Sequence, residues 1–131
     1  MILEMSKDYG MEDRVNYSSF NHYTCKRIVE LKPDADVGLL YFDGTMDLPL
    51  YAKKNGFEVI NPAYFNLFLP NARRQIEELG LKTRVWTVNE EEEVRACIER
   101  NVEAIITDNP KYIRNIYQKI ENEDKSEKNF N

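Results

Sequence analysis

His22 is the single histidine in a chain of 131 residues, so one protomer cannot field the histidine pair that acid-base catalysis often uses. Alone, it offers two roles: a general acid or phosphate contact at the rim of a site, or a plain first-turn helix residue beside a strand end. A second chemistry belongs to oxygen donors. Asp43, Asp47 and Asp108, with the amide of Asn89, are the ligand types that Mg and Ca prefer. Their spacing is equally that of turns and caps: Asp43-Gly44 reads as a turn after a strand, and Asp108 as a helix-capping residue. The four glutamates at 90–93 read as a helix's first turn, where acidic side chains favour the positive end of the dipole and stay solvated. Cys25 and Cys97 lack metal-ligand spacing, and Cys97 shares a helical face with Val94 and Ile98, where a thiol acts as a small hydrophobe.

These groups depend on the elements that hold them. Residues 83–113 contain two short apolar strands, each running straight into a capped helix, which is the wording of parallel βα repeats. Further strands begin near Val15, Val37 and Glu58, besides those near Thr83 and Glu103, at intervals of roughly 20 to 25 residues, the length of a strand plus a crossover helix. That makes five βα units. The periodicity predicts helices over 22–31, 46–55 and 72–79, the last stopped by Gly80. The next helix opens with Asn89 as N-cap and Glu92 at the capping-box position, and the last opens at Asp108-Asn109-Pro110 and ends near Ile120. Residues 121–131 read as a polar, frayed or disordered tail behind a domain spanning 1–120. At the other end, 2–9 reads as the close of a helix with Gly10 as its C-cap, so the chain is expected to start mid-fold.

In such folds ligands bind at the carboxyl ends of the strands. The residues there are Ser18, Ser19, Phe20, Asn21 and His22; Tyr41, Phe42, Asp43 and Asp47; Asn61 and Pro62 with Tyr64 and Phe65; Trp86, Thr87 and Asn89; and Thr107, Asp108 and Asn109. The set is aromatic and amide-rich, suited to sheltering an organic molecule and poor in groups that transfer protons. A net charge of -5 gives no footprint for nucleic acid or an anionic membrane surface. No apolar run reaches the roughly 18 residues of a membrane span, and the first residues lack the blocks of a signal peptide, so the expected compartment is the cytoplasm.

Val85-Trp86-Thr87-Val88-Asn89, followed by Ile105-Ile106-Thr107-Asp108-Asn109-Pro110, resembles the C-terminal end of the glycerophosphodiester phosphodiesterase family of TIM-barrel enzymes. Ser18-Ser19-Phe20-Asn21-His22 and Gly38-Leu39-Leu40-Tyr41 resemble that family's middle strands in order and spacing, so the likeness covers most of residues 1–115. It implies a partial TIM barrel, strands four to eight, and hydrolysis of phosphoric diesters. It also implies a substrate-binding wall formed by Phe20, Trp86 and Asn89, with Phe20 and Trp86 lining the cavity for the glycerol and alcohol parts. The family's catalytic groups, a His-Arg, a Glu-x-Asp, a later His and a Glu-x-Lys, lie in its first three strands, and none stands upstream of Ser18. The divalent metal that the resemblance implies, Ca or Mg, would be bound by those absent residues. Asn101 and Ala104 stand where the family usually has glycines; Asn tolerates a left-handed C-cap, whereas Ala104 narrows any close backbone approach.

A barrel typically needs about 250 residues, so the chain can supply only part of one, and without the family's catalytic groups it is expected to be inactive alone. Five strands cannot close, and an exposed apolar barrel interior would call for a cover. The choices are a homo-oligomer of facing partial barrels, which we favour, a chain supplying the missing strands, or an open doubly wound sheet. The readings that compete with a hydrolase part are a noncatalytic ligand-binding or interaction module and a flavodoxin-like binding domain.

Overall fold

The computed structural model describes residues 2–128. In order they form α1 (Ile2–Asp8), β1 (Tyr17–Ser19), α2 (His22–Leu31), β2 (Val37–Tyr41), α3 (Leu48–Lys54), β3 (Val59–Pro62), α4 (Ala72–Leu79), β4 (Lys82–Val85), α5 (Glu91–Glu99), β5 (Ala104–Ile105) and α6 (Pro110–Lys128). Short 3-10 turns at Glu12–Arg14 and Tyr64–Phe68 precede β1 and follow β3.

The strands form one parallel sheet in the order β1-β2-β3-β4-β5. A helix follows each strand and every neighbour in space is the neighbour in sequence, as in the wall of a βα barrel. A flavodoxin-like sheet reverses its order at the first strand, so the topology overturns the doubly wound, flavodoxin-like alternative.

Register sorts the side chains into two faces. Leu39 lies beside Ile60, and Ile60 beside Thr83. Because successive residues point to opposite sides of a strand, Tyr17, Leu39 and Ile60 go to the helical layer, where they pack with Cys25, Ile28, Ala52 and Phe57. Val85 does the same with Val88, Val94, Cys97, Ile113 and Ile116. The opposite face carries Ser18, Asn61, Arg84 and Ala104, which line one cavity of about 350 Å³. Residues from the two edge strands share this cavity although three strands separate them, so the sheet curls into a trough.

The floor of that trough corrects the expected apolar interior. Arg84, only 12% exposed, donates to both carboxylate oxygens of Asp36 at 2.8 and 2.6 Å and to Glu103 at 3.0 Å. Asn16 adds a 2.6 Å bond to Asp36, and Lys82 pairs with Glu103 at 3.0 Å. Arg84 holds the Asp36 carboxyl below its usual range. Gly38 leaves its space to Asn61: a Cβ there would run into Asn61 Oδ1, whose side chain is buried and has little room to move.

Helices α2 and α4 span the predicted residues, and Gly80 ends α4 in the left-handed region at φ 62°. Asn101 follows α5 with φ 53°, the left-handed conformation asparagine tolerates. Other ends differ: α3 begins two residues later and ends one residue earlier than the expected 46–55. The N-cap of α5 is Glu90, not Asn89, and the carboxylate that turns back is Glu93, not Glu92, accepting from the backbone N–H groups of Asn89 and Glu90 at 2.8 and 3.1 Å. Helix α6 starts one residue after Asn109, whose Oδ1 accepts from Tyr112 N at 3.2 Å, so Asp108 is not the cap. It also continues past Ile120 to Lys128, where a disordered tail was expected. Buried Ile120 anchors the turn, and ion pairs from α5, Arg95 to Glu123 at 2.8 Å and Glu91 to Lys119 at 3.1 Å, hold the polar continuation in register. The rest of the predicted tail, 129–131, lies outside the described residues.

Candidate functional site

Four short strands end in aromatic residues because each apolar run stops where the chain leaves the sheet, and the curl brings those ends together. Trp86, the first residue after β4, is fixed by its indole: Nε1 donates to the Asn61 carbonyl on β3 at 2.8 Å. Its backbone continues the sheet beside Ala63, accepting from Tyr64 N at 2.7 Å. Phe20, the residue after β1, meets the Trp86 ring edge-on, centroids 5.5 Å apart at 83°. Flat neighbouring strands stand about 4.8 Å apart, so rings from the first and fourth strands touch only because the sheet is a trough.

Phe42, after β2, closes the row, 6.1 Å from Trp86 and 5.2 Å from Phe65. Phe20 and Phe42 remain 60% and 57% exposed. Large rings left this open to water at strand ends present an apolar surface where such folds bind ligands. The structure thus brings Phe20 and Trp86 together, and adds Phe42 and Phe65. The sequence placed these two at strand ends but held no signal that they would face Trp86.

Asn89 lies in the loop after β4. Its Oδ1 accepts from Thr107 Oγ1 at 2.9 Å and Asp108 N at 3.1 Å, and its Nδ2 donates to Asp108 Oδ2 at 2.8 Å. The carboxamide therefore clamps the loop after β4 to the loop after β5.

His22 Nε2 donates to the Leu40 carbonyl at 2.9 Å, since a carbonyl only accepts, and its ring lies 5.6 Å from that of Tyr51. The preceding Asn21 caps α2 by accepting from Thr24 N.

The aspartates do not converge. Asp47 accepts from Gln75 at 2.6 Å, Asp108 from Asn89, and Asp43 sits in a turn closed by Thr45 N at 2.7 Å. Among the described residues no three His, Cys, Asp or Glu side chains gather as a cation site. The residues present do not fit the divalent metal that the resemblance implies. Burial pushes the Cys97 thiol up to about 11, with Glu93 adding to the effect, and burial raises Cys25 as well. Both thiols stay protonated and serve as core.

A curled parallel wall in sequential order, with its open-faced residues at the strands' carboxyl ends, is part of a TIM barrel. Residues 1–112 match the model of the glycerophosphoryl diester phosphodiesterase family, and the chain belongs to that family. It is 32% identical over 118 residues to a glycerophosphodiester phosphodiesterase of Caldanaerobacter subterraneus subsp. tengcongensis, covering 90% of this chain and 48% of that protein. The Bacillus subtilis protein YqiK is 27% identical over 114 residues, 83% of this chain and 45% of that one. The crystal structure of a glycerophosphodiester phosphodiesterase from Parabacteroides distasonis superposes with a TM-score of 0.77 at 27% identity, over 91% of this chain and 50% of that one. The chain thus spans about half the length of the relatives it matches. Among the described residues no helix is long and apolar enough to cross a membrane.

Proposed function

We propose that this chain supplies the carboxyl-terminal half of a phosphodiester-hydrolysing barrel, receives the alcohol side of a glycerophosphodiester, and does not hydrolyse it by itself. The observation that carries this reading is the exposed row of Phe20, Trp86 and Phe42 at the strand ends. Phe20, Trp86 and Asn89 form the substrate wall, with the Asn89 carboxamide also holding the rim. Hydrolysis of a phosphodiester needs a cationic clamp or Lewis acid for the developing charge and an acid-base pair. His22 is engaged with a backbone carbonyl and the aspartates are dispersed, so those groups, with the Ca or Mg they bind, come from residues other than these.

The groups that complete the catalytic barrel come with the missing strands; self-association, which we favour for the chain on its own, covers its open edges and adds no catalytic group. The edge of β5 supports an added element: a groove of about 350 Å³ beside it is lined by Val102, Ile105, Ile113 and Tyr117. The setting is glycerophosphodiester and lipid metabolism in the cytoplasm, where two free buried thiols are at home.

Glycerol 3-phosphate release from glycerophosphocholine, with Ca or Mg supplied, tests the reading. The chain alone should release none, and mixing it with the amino-terminal half of the Caldanaerobacter relative should restore release. Release by the chain alone overturns the predicted inactivity. Calorimetric binding of glycerophosphocholine with no turnover in the mixture selects the second reading, a noncatalytic ligand-binding module, which the intact aromatic wall also favours.

A further inference from the structure

At the strand ends Phe20 and Phe42 contact Trp86 at interplanar angles of 83° and 39°, and Phe65 meets Phe42 at 75°. A ring more than half exposed keeps a face open to water, and Phe20 and Phe42 both do. The electron-rich face of such a ring attracts a cation. The charges around the rings point the same way. The segments that leave the five strands, 20–21, 42–47, 63–71, 86–90 and 106–109, contain no lysine or arginine but carry Asp43, Asp47, Glu90 and Asp108, all exposed. Asp47 and Asp108 accept from the neutral amides of Gln75 and Asn89, so their charge stays in place. This end of the chain is therefore negative as well as aromatic, and its field attracts cations and repels anions.

We propose that the aromatic row selects a glycerophosphodiester whose alcohol is a quaternary ammonium, of the choline type, over one with a neutral polyol. The inference rests on the reading that this half of the barrel receives the alcohol side of the substrate. The two charges of such a substrate then orient it: the phosphate turns to the cationic groups that come with the missing strands, and the trimethylammonium to Phe20, Phe42 and Trp86. A quaternary ammonium has no N–H to satisfy, so bare rings suffice to hold it. A neutral polyol gains no attraction from the ring faces or from the four carboxylates.

Trp86 is the chain's one tryptophan, so its fluorescence reports on the row directly. Choline, titrated into the full chain at constant ionic strength, is the probe; neohexyl alcohol, in which carbon replaces the charged nitrogen, is the control. Choline should change the emission saturably and bind about five- to tenfold more tightly than neohexyl alcohol. Phe42→Leu keeps apolar bulk at an exposed position and removes the ring, so it should fold normally, weaken choline about three- to fivefold and leave neohexyl alcohol unchanged. Equal affinity for the two probes, no saturable change with choline, or equal weakening of both by Phe42→Leu overturns the proposal. In the mixture with the Caldanaerobacter half, glycerophosphocholine should show a lower KM than glycerophosphoglycerol. Restored release with equal KM for both overturns the selection and leaves the half-barrel reading intact. A mixture without release, from a chain that still prefers choline to neohexyl alcohol, sinks that reading and leaves the cation site standing.

Discussion

Phe20 gives the clearest separation of binding from stability. Its ring is mostly in water and contributes little to the core, so Phe20→Ala should change unfolding free energy by no more than about 0.5 kcal/mol. If the ring is part of the substrate wall, the same change should weaken calorimetric binding of glycerophosphocholine by about three- to tenfold, the worth of one aromatic contact. Unchanged affinity would remove Phe20 from the site. Gly38 behaves oppositely. Gly38→Ala drives a methyl into Asn61 Oδ1, and overpacking of that kind should cost about 1–3 kcal/mol in urea unfolding. Neither expectation was available from residue type alone: Phe20 was legible as a strand-end aromatic, but its contact with Trp86 depends on the curl of the sheet.

Arg84 acts between elements. It fastens β4 to the residue before β2 and to the residue before β5, across the floor of the trough. Arg84→Met keeps the aliphatic bulk and removes three charge-assisted bonds, for a loss of about 1–3 kcal/mol, drawn toward the smaller figure by the solvent around Asp36. The pH dependence has a definite sign. Asp36 has a carboxyl lowered in the folded protein, chiefly by its hydrogen bonds to Arg84, so its contribution is present above the ordinary carboxylate range and lost as pH falls through the lowered value. Stability curves of the two proteins should therefore converge in acid; a gap that is constant from neutral to strongly acidic pH would show that the pair contributes nothing through charge. The helix ends show the limits of local reading. Asparagine and glutamate at 89–93 all have capping chemistry, and the choice of Glu90 and Glu93 followed from Asn89 being held by Thr107 and Asp108, which are far away in sequence.

At the scale of the molecule, five parallel strands leave β1 and β5 with open edges. Light scattering across protein concentrations measures how those edges are met. We expect a dimer near twice 15.5 kDa. A monomer at every concentration would discard the facing-barrel arrangement and leave a chain with the missing strands as the partner. The trough floor bears on this: its ion-paired network can face water, so the demand for a cover comes from the edges and the groove beside β5 more than from the interior.

The sequence by itself determined the βα alternation, the family, the spans of α2 and α4, the stops at Gly80 and Asn101, and the poverty of the chain in acid-base groups. These are properties of neighbours along the chain: periodicity, caps, and which side chains exist. Tertiary structure decided the rest. It excluded the flavodoxin-like order, made the barrel floor polar, extended α6 to Lys128 and turned Asn89 from a cap into a clamp. It also set Phe20 and Phe42 against Trp86. Each of those outcomes is a contact between residues distant in sequence, fixed by the curvature of the sheet and the packing of its helices, which no local pattern encodes.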